Sequence, residues 1–269
     1  MESEKIPNRI YKYANAEKQS LSNIKNQIIY MAPPLIFNDP YDCSLNIKAA
    51  SLSKENVNRI REYYITIEST PESIRRELLE KKDDSLIELM QKSIESAISQ
   101  NRDEFLNKNG VCCFSETNNN LLMWAHYSDS FKGYCLEFST DREPFNKIKK
   151  VTYSNKIPKF DIPSFIFEDK GDQILDLFLT KAVDWNYEHE WRIMHSEAKT
   201  KYSYESESLK AIYFGPKMDF TIKEIICLIL QNQNENVEFW DSKLSIDKFA
   251  IEFNKVTYVP YLKKNKDKK

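Results

Sequence analysis

Apolar and polar residues alternate from Arg9 to Tyr13, a helix-compatible stretch runs from Ala16 to Asn23, and Gln27 to Met31 is rich in strand-forming residues. This pattern predicts strand, short helix, strand. Pro33 and Pro34 stop the second strand, and the cluster FNDPYD, Phe37 to Asp42, follows. Asn38 and Asp39 before Pro40 favour a fixed turn, because each short polar side chain can bond its own backbone. From Ser53 to about Asn107 the period becomes helical and the chain charged and free of glycine. Thr70 followed by Pro71 reads as a cap and a first-turn proline, and Ser85 with Glu88 as a capping box ahead of Leu86, Leu89, Met90, Ile94 and Ile98. Residues 53–108 are therefore expected to be a two- or three-helix insertion whose charges form a solvated face.

Strand character returns in VCCFSE after Gly110, then a short helix in LLMWAHY, then a strand in GYCLEFS, Gly133 to Ser139. Val151 to Tyr153 is a further short strand, and Phe167 to Ala182 carries a helical apolar pattern up to the motif DWNYEHEWRIMH, Asp184 to His195. Strands are expected around Ala211 to Phe214 and Ala250 to Phe253, with a helix or a buried strand at Ile222 to Leu230. The whole reads as one α+β domain over residues 1–269, a mixed β-sheet core carrying a helical insertion.

Composition narrows the function. Lys and Arg number 39 against 41 Asp and Glu, a net charge of −2 that argues against non-specific nucleic-acid binding. Only 4 glycines occur, all far apart, so neither GxGxxG nor a Walker loop is present and a bound nucleotide would need side chains for its phosphates. The 5 cysteines include the adjacent pair Cys112 and Cys113 and fit no disulfide framework or CxxC metal spacing; free thiols in a reducing cytosol are expected. The charged start and the lack of any long apolar run predict a soluble cytoplasmic protein without membrane contact. The basic tail, Lys263 to Lys269, reads as a solubilising end.

Three clusters could carry chemistry. Around Trp185 to Arg192, an extended chain would put Glu188, Glu190 and Arg192 on one face and Tyr187, His189 and Trp191 on the other. Two neighbouring carboxylates shift each other's ionisation, which suits one to stabilise a cation and the other to manage a proton; the alternative is a structural ion network closed by Arg192. The second cluster joins Ser115 and Glu116 to Trp124, His126 and Tyr127, with His126 as an acid/base or clamp, or as a satisfied core group. The third joins Tyr11, Lys12 and Tyr13 to Asn38, Asp39 and Asp42; Lys12 with Arg9 offers the cation a pyrophosphate needs, or is a snorkelling edge lysine. The three histidines do not form a zinc set.

The ordered series YKY, IYMAPPLIFNDPYD, CFSE, LLMWAHYSDSFKGYCLEF, KAVDWNYEHEWR and LKAIYFGP, from Arg9 to about Gly215, resembles a large bacterial family known as domain of unknown function 2971. Tyr41 stands where that family often has phenylalanine, and the helical insertion after the FNDP turn is long. A polar strand-one residue between aromatics, a serine after a strand and a late Glu-x-Glu are also similar to the layout of ADP-ribosyltransferases, among them bacterial toxins and phage-defence effectors. That resemblance implies an ADP-ribosyltransferase-like sheet and NAD as substrate, with Glu190 on the ribose and the developing cation, and Glu188 orienting the acceptor. Ser115 would support Glu190, Tyr13 or Tyr127 would stack on nicotinamide, and Lys12 or Arg9 would meet the pyrophosphate. It makes Tyr11, Lys12, Tyr13, Asn38, Asp39, Ser115, Trp124, Tyr127 and Arg192 the binding set and Glu190, Glu188 and His126 the catalytic set. A macromolecular acceptor or a defence-system partner protein would be the other reactant. Two other expectations stand beside it. In one, Glu188, Glu190 and Asp39 hold a divalent metal for nucleic-acid cleavage. In the other, the chain is a non-enzymatic binding or sensor module.

Overall fold

The computed structural model describes residues 5–43, 52–168 and 172–259. The basic tail expected at Lys263 to Lys269 lies outside them. The chain divides into two compact units, one made of residues 1–36, 108–151 and 183–269, the other of residues 37–107 and 152–182.

The first unit opens with β1 (Arg9–Ala14), α1 (Lys18–Lys25) and β2 (Ile28–Tyr30), the strand, helix, strand order expected from the sequence. In the second unit follow α2 (Lys54–Thr66), α3 (Glu72–Glu80) and α4 (Asp83–Lys108). The Ser53 hydroxyl caps α2 by accepting from Asn56 N, which satisfies one of the backbone donors left without a partner at a helix start. Two expected boundaries shift: Pro71 is itself the cap residue of α3, and α4 begins at Asp83, so Ser85 lies inside it. Asp83 and Asp84 supply acidic groups to the first turn of α4, where the helix dipole favours them.

The chain then forms β3 (Gly110–Ser115), α5 (Leu121–Tyr127), β4 (Tyr134–Ser139) and β5 (Lys149–Lys150) in the first unit. It continues as β6 (Thr152–Ser154), α6 (Ile162–Phe167), α7 (Asp172–Phe178) and β7 (Thr180–Ala182) in the second. The helix expected between Phe167 and Ala182 is α7, and the end of that stretch is the strand β7. Back in the first unit come β8 (Glu190–His195), β9 (Lys201–Ser203), β10 (Leu209–Phe214), α8 (Phe220–Gln233), β11 (Glu238–Leu244) and β12 (Ile251–Val256). The ambiguous stretch Ile222 to Leu230 is helical, with Asp219 capping α8 by accepting from Ile222 N.

The fold is α+β. Eight strands form one mixed sheet in the order β12-β11-β10-β4-β1-β3-β8-β5, in which β10 and β11 are parallel and the other neighbours antiparallel. One face carries the main core, including Ile10, Phe114, Leu136, Phe138, Trp191, Ile212 and Ile226. The opposite face carries a smaller core in which Tyr13, Cys135 and Tyr213 pack with Met123 and Trp124 of α5. Gly133 and Gly215 allow a close backbone approach at one end of this sheet: a Cβ on Gly133 would lie 2.1 Å from Ala14 O, and one on Gly215 2.2 Å from Phe131 O. Among the described residues no helix is long and apolar enough to cross a membrane.

Candidate functional site

The register of three neighbouring strands sets the site. Tyr11 of β1 stands opposite Ser115 of β3, and Ser115 opposite Glu190 of β8. Directly opposite residues share a sheet face, so these three side chains form a row across β1, β3 and β8. Glu137 of β4, opposite Tyr11, extends it. In the next row Cys113 faces Arg192.

Glu190 and Arg192 are both buried, 3% and 0% exposed. Arg192 Nε donates to Glu190 Oε1 at 2.7 Å and an Nη to Oε2 at 2.8 Å, a two-pronged fork that fixes the carboxylate in plane. This is the ion pairing expected as the alternative for the acidic doublet. The expected extended run does not include Glu188. Residues Val183–Glu188 form a 3-10 turn, and His189, at φ 44°, joins it to β8. The chain around the acids therefore bends where period-two alternation supposed it straight.

That bend is pinned by the end of β3 and the start of α5. Ser115 Oγ donates to Glu188 O at 2.6 Å, Glu116 N to His189 O at 3.1 Å, and Asn120 Nδ2 to Tyr187 O at 3.1 Å. Ser115 thus holds the backbone beside Glu190. Asn120 also caps α5, accepting from Leu122 N and Met123 N. Sequence reasoning missed Asn120, although an asparagine directly before LLMWAHY is the usual signal of a helix start. Glu116 Oε1 accepts from Trp191 Nε1 at 2.7 Å, which adds a side-chain bond between the CFSE and WRIMH segments.

The Glu188 carboxylate is 2% exposed and accepts from the Tyr127 hydroxyl at 2.6 Å. His126, exposed on α5, contacts the rings of Tyr127, Trp185 and Tyr187 at 6.2, 6.3 and 6.4 Å. Trp124 is fully buried, its indole N–H donating to Asn118 O and its ring meeting Tyr13 at 5.4 Å. The Tyr13 hydroxyl donates to Thr117 O at 2.9 Å, and burial pushes its pKa up. Tyr11 is pushed up to about 12, by burial first and then by Glu137.

Lys12 projects to the other face of the sheet from Tyr11 and Tyr13. Its ammonium stands 5.3 Å from the Phe114 ring and donates to Cys113 O at 3.2 Å. Burial pulls this ammonium down, but Cys112, Cys113 and Glu190 outweigh it and the net shift is upward. Arg9 is on the face of Tyr11 and pairs with Glu137 at 3.4 Å.

Asn38 and Asp39 belong to the second unit. Asn38 is exposed, and Asp39 makes the expected turn by accepting from Tyr41 N at 2.9 Å. Asp39 Oδ2 is buried and has no hydrogen-bond partner among the described residues. In the same unit Lys181 Nζ lies 3.4 Å from Asp42 Oδ2, both side chains buried, and a cavity of about 260 Å³ is lined by Tyr41, Lys156 and Lys181. Lys181 escaped sequence reasoning because nothing in KAVDW distinguishes a buried lysine from an exposed one. Among the described residues no group of three or more His, Cys, Asp or Glu side chains is placed to hold a metal ion, so the metal-dependent reading finds no ligand set there.

Residues 123–193 match the family model described as a protein of unknown function (DUF2971), and no curated protein and no solved structure matches. The matched stretch contains most of α5, the turn Val183–Glu188, Glu190 and Arg192, and supports the expected family for this part of the chain.

Proposed function

We propose that the protein is an NAD-consuming enzyme, a transferase or glycohydrolase of the ADP-ribosyltransferase type, that breaks the bond between nicotinamide and ribose. The observation that supports this reading is the row Tyr11, Ser115 and Glu190 on one sheet face, with Glu188 tied beside it through Ser115. In the proposed step the C–N bond breaks with its electron pair leaving on nicotinamide, and positive charge develops on the ribose. A carboxylate fixed before the reaction stabilises that charge without reorganising. Glu190, held by Arg192, is oriented toward the ribose, and Glu188 directs water or an acceptor hydroxyl at the cation. The nucleophile's proton leaves to solvent.

The test is nicotinamide release from NAD by the purified full chain. Glu188→Gln, which preserves a hydrogen-bond acceptor for Tyr127, is expected to stay folded and lose turnover by about a hundredfold or more. Equal turnover by variant and wild type, or none by the wild type, overturns the proposal. One observation favours a second reading, a non-enzymatic binding module: both oxygens of Glu190 are engaged by Arg192. A wild type that binds NAD without releasing nicotinamide would fit that reading.

A further inference from the structure

In the second unit the parallel strands β6 and β7, paired with Tyr153 opposite Lys181, border the cavity of about 260 Å³. That volume is close to the lower end of small-molecule sites, about 300 Å³. Its wall is of two kinds. Tyr41, Ile157 and Leu177 give it apolar surface, Asn155, Lys156 and Lys181 bring polar groups, and among the described residues no acidic side chain lines it. The two lysines are placed differently. Lys181 is buried and already has Asp42 as its partner, with Nζ 3.4 Å from Oδ2, so its charge is balanced. Lys156 is exposed, and neither its ammonium nor the Asn155 amide has a partner among the described residues. The backbone of Lys156 is held in place: its N–H donates to Ser154 Oγ at 3.0 Å, and its carbonyl accepts from the same hydroxyl at 2.9 Å.

We infer that this cavity binds a compact organic anion, an apolar body carrying one carboxylate or phosphate, and that Lys156 recognises the charge. The lining offers a cation no carboxylate with which to pair. An anion gains a charge-assisted hydrogen bond from Lys156 and a neutral one from Asn155. A bare inorganic anion would use those two groups and leave the apolar wall in water. A ring or a short chain attached to the anion covers that wall, and the gain grows with the area withdrawn from water. Because Ser154 fixes the backbone from which Lys156 springs, less freedom remains to be lost on binding. One negative group is expected and not two, since Asp42 already balances Lys181. These residues belong to the second unit and Glu188 and Glu190 to the first, and anion binding here does not require the proposed reaction.

The experiment is calorimetric titration of the full chain with four probes: benzoate, its neutral counterpart benzamide, phenyl phosphate and inorganic phosphate. The tighter of the two ring-bearing anions is expected to exceed benzamide about tenfold, the worth of one hydrogen bond to a charged group. Phenyl phosphate is expected to exceed inorganic phosphate by about tenfold, through the ring it buries. Benzoate against phenyl phosphate tells which head group the cavity prefers. Lys156→Gln is expected to weaken the preferred anion about tenfold and to leave benzamide within about twofold. Lys159→Gln, which removes an exposed charge outside the lining, is expected to leave both within about twofold. Both lysines are exposed, so either variant is expected to fold. Three results overturn the inference: equal affinity for the ring-bearing anions and benzamide, no anion binding at millimolar concentration, or an equal loss from the two lysine variants. Inorganic phosphate binding as tightly as phenyl phosphate overturns the organic character of the ligand.

Discussion

On one face of β1, β3 and β8, Ile10, Phe114, Trp191 and Ile193 pack into an apolar core; on the other, the same strands present Tyr11, Ser115, Glu190 and Arg192. Both faces are buried at β8, yet they are held differently. The apolar face gains in proportion to the surface it withdraws from water. The polar face withdraws two full charges, and the desolvation cost offsets most of their attraction. A buried pair of this kind is weak ground for stability, and what it fixes is the direction in which a carboxylate points. In this sheet, then, stability and chemical orientation are carried by alternate residues of one strand.

The sharpest way to break that contrast is to remove one charge. Arg192→Met leaves Glu190 buried without its fork and is expected to cost about 3–5 kcal/mol in denaturant unfolding. Replacing both, with Glu190→Leu added, should restore most of the loss, because the double variant makes the two faces alike. A double variant as unstable as the single would mean that the polar face rests on something other than this pair. Next in size, Ser115→Ala removes the hydroxyl that donates to the Glu188 carbonyl and is expected to cost about 1–3 kcal/mol, read by thermal unfolding. An unchanged melting temperature would show that the bend stands without the serine.

The smallest effect concerns Tyr11, and it appears only in alkali. Its pKa is raised from 10.0 to about 12, so the folded chain holds a proton that the unfolded chain gives up. Stability contributed by this phenol is complete below pH 10 and is lost as pH rises toward 12. Tyr11→Phe should leave stability near neutrality almost unchanged and flatten part of the alkaline decline. An unaltered alkaline slope would remove Tyr11 from the polar face's titration.

Much of the local structure was legible in the residues. LLMWAHY forms a helix over the expected seven positions, and the YKY, VCCFS and YCLEFS strands lie where alternation and strand-forming residues put them. The same alternation separates Lys12 from Tyr11 and Tyr13, a consequence available in YKY itself once the strand is granted. Other features had no local signal. The bend through Glu188 depends on partners that lie far away in sequence, Ser115 and Asn120, and the pairing of β10 with β11 in parallel depends on the return path of α8. The second unit's use of residues 152–182 alongside the helical stretch likewise comes from packing between distant segments. Arg192 was legible as a neutraliser of the acids, but its two-pronged hold on Glu190 is a matter of geometry that composition does not carry.

The left-handed residue His189 divides the acidic doublet between two kinds of backbone, one acid in a tight turn and the other in a strand. The two backbones are nonetheless joined, because Ser115, opposite Glu190, donates to the Glu188 carbonyl and Glu116 N to the carbonyl of His189 itself. A residue at position 189 that disfavours a left-handed backbone, such as valine or isoleucine, is therefore expected to disturb the turn and the strand together.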